Sequence, residues 1–140
     1  MSFYIEDLKV INVEGGDVMH GLKSSDRSFT NFGELYFSWI EPKRIKAWKK
    51  HKSMTMNLIV PHGLVKFVIF SENKPYEFHE VIIGNTSEVN NYKRLIIEPN
   101  SWFGFQGISV SNSLVANLAD IEHDPSEVER VAVSSVNYNW

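Results

Sequence analysis

The stretch 43–60, KRIKAWKKHKSMTMNLIV, gathers most of the concentrated basic charge of the chain around one tryptophan and one histidine. Because the whole chain has a formal net charge of -3, this is a local anion-attracting strip on an acidic protein. In a β-strand, residues i and i+2 face the same side. If the strip is a strand, Lys49 and His51 point one way while Trp48 and Lys50 point the other. A lysine and a histidine aimed together indicate a site for a small anionic ligand.

The composition restricts the class of protein. A length of 140 residues predicts one domain, spanning 1–140. The chain has no cysteine, which excludes disulfides, thiolate metal sites and cysteine nucleophiles and fits a reducing cytoplasm. The net acidity argues against non-specific nucleic-acid binding.

The first ten residues, MSFYIEDLKV, contain Glu6 and Asp7 where a signal peptide needs an apolar core. No apolar run approaches the roughly 20 residues that span a bilayer. We therefore expect a cytoplasmic protein without a membrane partner.

Short β-prone segments recur along the chain between turn residues. The pattern predicts strands over 3–13, 18–23, 33–40, 55–60, 64–70, 78–83, 92–97, 101–107 and 113–120, with a turn at 61–63. Many short strands separated by Gly and Pro are typical of a β-sandwich or β-barrel.

Only the segment 124–131, DPSEVERV, has the pattern of a helix. Asp124 suits the N-cap, Pro125 suits the first helical position, and Glu127 has the spacing of a capping box. We predict one short helix near the C-terminus of an otherwise all-β chain.

Five segments in order carry a resemblance to a known family: GGDVMHGLKSSDRSFTNFGELYFSWI, IKAWKKHK, MNLIVPHGLVKFVIF, RLIIEPNSWFGFQG and ADIEHDPSEVER. Over about 15–130 the chain resembles the cupin-fold sugar epimerases, and the dTDP-4-dehydrorhamnose 3,5-epimerases in particular. The resemblance implies a cupin-type jelly-roll β-barrel that forms a homodimer and holds a nucleoside-diphosphate sugar in the barrel mouth. It also implies an isomerase or epimerase of cell-surface polysaccharide biosynthesis that needs no cofactor.

The implied reaction moves a proton on a 4-keto-hexose linked to a nucleoside diphosphate. The keto group acidifies the protons on the neighbouring carbons, a base removes one, and an acid returns a proton to the enolate. Such a site needs a base, a proton donor across from it and a cation near the enolate oxygen. Cationic groups must also hold the diphosphate.

The chain departs from the family at the positions that the resemblance marks as catalytic. Lys49 stands where the family has its catalytic histidine, and His51 follows two residues later. Asn117 stands where the family has its proton-donating tyrosine, and Trp102 replaces a further histidine. Three hypotheses remain: His51 is the base and Lys49 steadies the enolate, Lys49 is itself the base after burial lowers its pKa, or the protein binds a nucleotide sugar without turning it over.

The remaining candidate residues would bind substrate. Arg27, in an imperfect version of the family's Asp-x-Arg-Gly stretch, and Lys46 are predicted phosphate contacts. Trp48 and Trp102 are candidates to stack on a base or sugar, although aromatic residues are more often core. Asn117 is a candidate to hydrogen-bond a ligand carbonyl.

No metal site is predicted. Cupins that bind a metal use a His-x-His pair, and here the pair reads Lys49-Lys50-His51, which removes one neutral nitrogen. The alternatives to the enzyme are a non-catalytic sugar-nucleotide-binding or interaction protein of the same fold and, more weakly, a cupin of unrelated small-molecule chemistry.

Overall fold

The structure, a computed structural model, describes residues 2–140. Within this range, no helix is long and apolar enough to cross a membrane. The described residues form twelve strands and two short 3-10 helices. The strands are β1 (Phe3–Asp7), β2 (Val10–Ile11), β3 (Val18–Met19), β4 (Glu34–Ile40), β5 (Ile45–His51), β6 (Met56–Phe70), β7 (His79–Asn85), β8 (Asn90–Asn91), β9 (Lys93–Ile97), β10 (Trp102–Gly107), β11 (Ser113–Ala119) and β12 (Val128–Arg130). The 3-10 helices span Pro125–Glu127 and Val133–Ser135.

The long strand β6 connects the two halves of the molecule. Its first part pairs with β9 and β11, and its second part pairs with β10 and β7, always antiparallel. The turn predicted at 61–63 is wrong, because β6 continues through it. A register shift in the β6–β11 ladder, between Leu114 and Ala116, lies opposite Pro61 and accommodates its missing N–H.

Two arms of strands extend from β6 along its length. One arm runs β6-β11-β4, with β9 and β1 on the other side of β6. The second runs β6-β10-β5-β12, with β7 and β8 on the other side. The predicted all-β class is confirmed, but the barrel is not closed. Strand β4 pairs only with β11, and β12 pairs only with β5, so a gap separates the two arms.

The alternation of side chains along the strands produces two apolar cores. The inner core lies between the arms and contains Met56, Leu58, Phe67, Ile69 and Phe103 with ten further buried residues. The outer core lies on the other face of β5, β6 and β10, where Val68, Phe70 and Trp102 pack with aromatic residues of the C-terminal segment. Adjacent residues such as Trp102 and Phe103 therefore belong to different cores.

The helix predicted over 124–131 is wrong. Asp124 does cap a turn, since its carboxylate accepts the N–H of Ser126 at 2.9 Å, but the turn is a single 3-10 helix that gives way to β12. Strand pairing opposes a helix here, because Val128 lies opposite His51 in the β12–β5 ladder. The carboxylate of Glu127 does not stay within its own turn but accepts backbone N–H groups of Lys52 and Ser53.

Candidate active site

A cavity of about 490 Å³ lies in the gap between the two arms. Its walls come from β4, β5, β6, β10, β11 and the C-terminal segment 128–131, which contains β12. The lining residues are Tyr36, Ser38, Lys46, Ala47, Trp48, Lys49, Met56, Leu58, Phe103, Phe105, Val115, Asn117, Arg130 and Val131. An apolar floor with a few polar groups from facing strands is typical of a small-molecule site.

Strand β5 presents its residues as the sequence predicted. Lys49 lines the cavity opposite Phe103 of β10. His51, two residues on, is 2% exposed and stacks against Phe103 with ring centroids 6.1 Å apart. Trp48 and Lys50 face the outer side, where the Lys50 amine lies over the Trp102 ring and pairs with Glu72.

Glu127 orients the His51 ring. Glu127 Oε1 lies 2.5 Å from His51 Nδ1, and Oε2 accepts the backbone N–H groups of Lys52 and Ser53, each at 3.0 Å. With the Nδ1 proton donated to this carboxylate, the lone pair of His51 resides on Nε2. Nε2 is buried and has no hydrogen-bond partner among residues 2–140, so its lone pair is not used within the described fold. His51 is not itself among the residues that line the cavity, but it packs against one of them, Phe103.

The sequence analysis assigned Glu127 only a capping role, and its part in the site was missed. Its carboxylate is directed to His51 because β12 pairs with β5 immediately after the 3-10 turn. The one sequence feature that could have pointed to it is its charge, because an acidic residue in a turn-and-strand segment is a candidate partner for the basic strip. The pairing itself joins residues 76 positions apart.

Burial changes the proton affinity of both β5 residues. Burial lowers the pKa of His51 below its ordinary value of 6.5, and this outweighs the opposing effect of Glu127. Burial likewise lowers the pKa of Lys49, with further lowering from the positive charges of Arg130 and Lys46. Burial alone would raise the pKa of Glu127, but the His51 hydrogen bond and backbone N–H groups lower it overall. The His51 ring is thus neutral near neutral pH, as a general base must be.

The opposite wall carries a phenol that the sequence analysis did not select. Tyr36 of β4 and Asn117 of β11 are direct partners in the β4–β11 ladder, and Asn117 Nδ2 donates to the Tyr36 hydroxyl oxygen at 2.9 Å. Asn117 Oδ1 accepts the Asn57 N–H at 3.1 Å, which fixes the amide. Burial raises the pKa of Tyr36, so the phenol stays protonated.

Tyr36 could have been found from the alternation in β4. In this strand Tyr36 and Ser38 face inward and are partly buried, whereas Leu35, Phe37 and Trp39 face outward and are exposed. The sequence analysis instead assigned the position of the family's proton-donating tyrosine to Asn117. The structure places Asn117 on the cavity wall, 3% exposed, beside the phenol.

Two further cations, Lys46 and Arg130, lie at the mouth of the cavity. Lys46 is exposed, and its amine donates to the Trp39 carbonyl oxygen at 2.6 Å, which bridges the gap between β5 and β4. Arg130 is exposed on β12 directly opposite Lys49. Both line the cavity.

The two tryptophans predicted to stack on substrate are packed in the outer core. Trp102 is 9% exposed, stacks on Phe70 and does not line the cavity. Trp48 borders the cavity but is 1% exposed, and its ring packs against Trp140 at 5.1 Å. Their placement follows from the strand period, which turns them away from Lys49 and Phe103. A stacking role does not fit either placement.

Arg27 lies away from the cavity. Its side chain is 70% exposed, pairs with Glu6 at 3.0 Å and lies over the Tyr4 ring at 4.1 Å. It belongs to the N-terminal segment that Arg94 holds against the sheet through Glu6 and Asp26. The predicted phosphate contact of Arg27 does not fit this cavity.

The described part of the chain contains no group of three or more His, Cys, Asp or Glu residues that could hold a metal ion. The site offers a lysine on one wall, with a buried histidine–carboxylate pair next to that wall. It offers a protonated phenol on the other wall and cations at the mouth. Such a set can remove a proton from an acidic C–H and stabilise the resulting anion.

Comparison with known proteins places this geometry in context. No protein-family model and no curated protein match the sequence, but solved structures do. A dTDP sugar isomerase from Desulfovibrio desulfuricans G20 is 34% identical over 99% of this chain and 90% of its own, with a TM-score of 0.89.

More distant structures share the fold. QdtA, a sugar 3,4-ketoisomerase from Thermoanaerobacterium thermosaccharolyticum solved in complex with TDP, is 18% identical over 92% of this chain and 88% of its own, with a TM-score of 0.75. A dTDP-4-dehydrorhamnose 3,5-epimerase from Sulfolobus tokodaii is 19% identical over 99% of this chain and 86% of its own, also with a TM-score of 0.75. The resemblance seen in the sequence is confirmed, and the chain belongs to the dTDP-sugar isomerase family, whose cupin-like fold the 3,5-epimerases share.

Proposed function

We propose that the protein is an isomerase or epimerase of 4-keto-hexoses linked to a nucleoside diphosphate. The observation that carries the proposal is a single cavity with acid–base groups on both walls. Lys49 lines the β5 side, and the buried His51–Glu127 pair lies next to it, with His51 stacked on the lining residue Phe103. Tyr36 and Asn117 line the opposite side. The 34% identity to a dTDP sugar isomerase supports the same class of reaction.

Proton removal is assigned to the β5 wall. The base takes the proton from C3, next to the C4 keto group, and the electron pair of the broken C–H bond becomes an enolate with its charge on O4. His51 suits this step because Glu127 holds Nδ1 and leaves the Nε2 lone pair free. The protonated Lys49 amine then stabilises the enolate oxygen. The alternative assignment, with Lys49 as the base, is supported by its direct position on the cavity wall and its lowered pKa.

Proton return is assigned to Tyr36. Its hydroxyl oxygen already accepts a hydrogen bond from Asn117, and the nearest acceptor for its own proton is the weakly accepting Met54 Sδ at 4.0 Å. That proton is therefore available to a substrate. Returned to the opposite face of C3, it gives an epimer. Delivered to C4, with the proton of the C3 hydroxyl passing to O4, it moves the keto group to C3 and leaves a hydroxyl at C4.

The decisive experiment is deuterium incorporation from solvent into dTDP-4-keto-6-deoxyglucose, followed by proton NMR. We expect the wild type to exchange the C3 proton. His51→Asn should abolish the exchange and leave binding of the nucleotide sugar intact. Absence of exchange with any 4-keto sugar nucleotide would contradict the proposal and favour the non-catalytic alternative, which none of the comparisons supports.

A homodimer is part of the proposal. Strand β4 is an unpaired edge whose outward residues Leu35, Phe37 and Trp39 are 44%, 59% and 58% exposed. A row of exposed apolar side chains on an edge strand is a surface that proteins normally cover. Antiparallel packing of two copies about Phe37 would cover both rows with the same residues, as a two-fold axis requires.

We also propose that the protein makes sugar nucleotides for cell-surface polysaccharides and that it works in the cytoplasm. One domain, spanning 1–140, carries out this function. The absence of cysteine fits a reducing compartment. Assembly of such polysaccharides consumes 6-deoxyhexoses linked to nucleoside diphosphates. The proposed class of reaction yields such sugar nucleotides. No cofactor enters the proposed steps.

A further inference from the structure

The cavity wall next to Lys49 is thin at Ala47 and Trp48. Both residues border the cavity, and both also pack in the outer core. The ring of Trp140 lies behind them, with its centroid 5.1 Å from that of the Trp48 ring. Gly104 allows this close approach, because a Cβ there would lie 2.4 Å from Ala47 Cβ and 3.1 Å from Trp140 Cη2. The indole of Trp140 therefore supports the cavity wall from the outside.

The C-terminal strap, residues 127–140, crosses the same wall. Val131 lines the cavity, and its backbone exchanges hydrogen bonds with that of Trp48 at 3.1 and 3.2 Å. The Trp48 indole N–H donates to the Val133 carbonyl oxygen at 3.3 Å. Residues 131–135 are all exposed, so this middle part of the strap makes few buried contacts of its own. Its place on the wall depends on what holds the strap at its two ends.

The two ends of the strap are held by different contacts. At the first end, the Glu127 carboxylate is fixed by the hydrogen bonds described above. At the far end, the Tyr138 hydroxyl donates to the Glu80 carboxylate. The Lys66 amine also lies 5.6 Å from the centre of the Tyr138 ring and 5.5 Å from that of the Trp140 ring. The first end belongs to the site already described, and the far end is a separate anchor.

Stability alone does not account for the place of Trp140. Its indole N–H is buried and has no hydrogen-bond partner among residues 2–140. Burying an N–H without a partner opposes folding. The ring is nevertheless kept against Trp48, at the back of the cavity wall. This indicates that the position of the ring serves the site as well as the core.

We propose that Tyr138 and Trp140 are positioning residues, which hold the strap on β5 and so keep the wall that carries Lys49 in its reactive geometry. The inference rests on the proposed function, because it requires a reaction at this wall. Arg130 lies opposite Lys49 in the β12–β5 ladder, so lifting the strap would leave β5 as an unpaired edge beside the cavity. A displacement of about 1 Å at the reacting groups can cost about 10²-fold in rate. Substrate binding should change less, since β4, β6, β10 and β11 also line the cavity.

The test compares Trp140→Ala with Tyr76→Ala in the deuterium-exchange assay with the keto-sugar nucleotide. Tyr76 packs in the same outer core, with its ring 4.8 Å from that of Phe70, but it is not part of the strap. Trp140→Ala should lower kcat about tenfold and leave KM within about threefold of wild type. Trp140→Phe keeps a ring beside Trp48 and should restore most of kcat. Tyr76→Ala should lose stability as Trp140→Ala does, but keep kcat.

Amide hydrogen exchange followed by NMR measures the strap without a substrate. The Val131 N–H should lose about tenfold of its protection in Trp140→Ala, whereas the amides of β6 keep theirs. Tyr138→Phe removes only the hydroxyl that binds Glu80 and should show a smaller loss of both protection and kcat. Unchanged kcat in Trp140→Ala, an equal fall of kcat in Tyr76→Ala, or unchanged protection of Val131 would overturn the inference. Failure of the proposed function gives a different result: the protection of Val131 still depends on Trp140, while the wild type exchanges no deuterium into any keto sugar.

Discussion

Glu127 Oε1 lies 2.5 Å from His51 Nδ1, although the two residues are 76 positions apart in the chain. Both side chains are nearly inaccessible, 3% and 8% exposed. The contact is made by the 3-10 turn that precedes β12, and the other carboxylate oxygen holds the backbone N–H groups that follow β5. One carboxylate therefore fixes both the His51 ring and the chain segment next to it.

Replacing Glu127 by Gln should reduce the rate of deuterium exchange by about 10²- to 10³-fold, because a neutral amide accepts the Nδ1 proton more weakly than a carboxylate and does not stabilise the imidazolium. It should also lower the free energy of unfolding by about 1–3 kcal/mol, through weaker acceptance of the buried N–H groups. The exchange assay and urea unfolding measure the two effects. The control is Glu129→Gln, which removes only partly exposed ion pairs to Lys50 and Lys52. An equal loss of rate in the control would contradict the orienting role.

The pH dependence of exchange separates the two candidate bases. The pKa of His51 lies below 6.5, so a His51 base is already deprotonated at neutral pH and the rate should be level from about pH 7 to about pH 9. The pKa of Lys49 is lowered from 10.5, and a Lys49 base would instead give a rate that rises about tenfold per pH unit up to that pKa. Initial rates of deuterium incorporation across this range decide between them, and Lys49→Met should remove the rising limb if Lys49 is the base.

Local periodicity was enough to predict which side chains of β5 share a face. The alternation in KAWKKH places Lys49 and His51 together, and in the structure Lys49 lies opposite Phe103 and His51 stacks on it, whereas Trp48 belongs to the outer core. What could not be predicted depends on distant pairing. The helix assignment at 124–131 failed because a strand partner, β5, competes with the local helix preference.

The same limit explains the residues that were misplaced or missed. Trp102 looked available for a ligand, but it is covered by an outer core that the C-terminal Tyr138 and Trp140 help to build. The inward face of Tyr36 follows from the alternation in β4, but its contact with Asn117 depends on the β4–β11 register, which joins residues 81 positions apart. A sequence gives the face of each strand more readily than the strand that will lie beside it.

Tyr36→Phe tests the proton donor on the opposite wall. The variant should still remove the C3 proton, so deuterium exchange into the substrate continues, whereas formation of the epimer or of the shifted ketone should fall by about 10²-fold or more. Proton NMR of one reaction in deuterium oxide reports both quantities. The nearby Ser38→Ala, also on the cavity wall of β4, is the matched control and should keep the two rates in proportion. Equal losses of exchange and product in Tyr36→Phe would assign the phenol to another role.

The outward row of β4 tests the dimer. Phe37→Asp places a charge at the centre of the proposed two-fold contact and should convert a dimer into a monomer by light scattering after size exclusion. Because the Phe37 side chain faces away from the cavity, the monomer should remain folded. Ile82→Asp, on β7 and 42% exposed, gives the matched change on another surface and should leave the dimer intact. A wild type that is monomeric at all concentrations would remove this part of the proposal.

The stability of the fold should decrease as the pH falls below about 6.5, and His51 should account for much of the decrease. Folding lowers the pKa of His51, so between its folded pKa and the ordinary 6.5 the unfolded chain binds more protons than the folded one. In this range the free energy of unfolding therefore rises with pH and levels off above 6.5, by about 1.4 kcal/mol for each unit of pKa shift. Glu127, whose pKa is also lowered, adds a second loss of stability as the pH falls below about 4.5.

Urea unfolding at a series of pH values from about 7 to about 5 measures this dependence. The free energy of unfolding should change steeply with pH for the wild type and less steeply for His51→Gln, which has no titrating ring. Parallel slopes for the two proteins would mean that His51 is protonated as readily in the folded state as in the unfolded state, and would remove the basis for treating it as a neutral base.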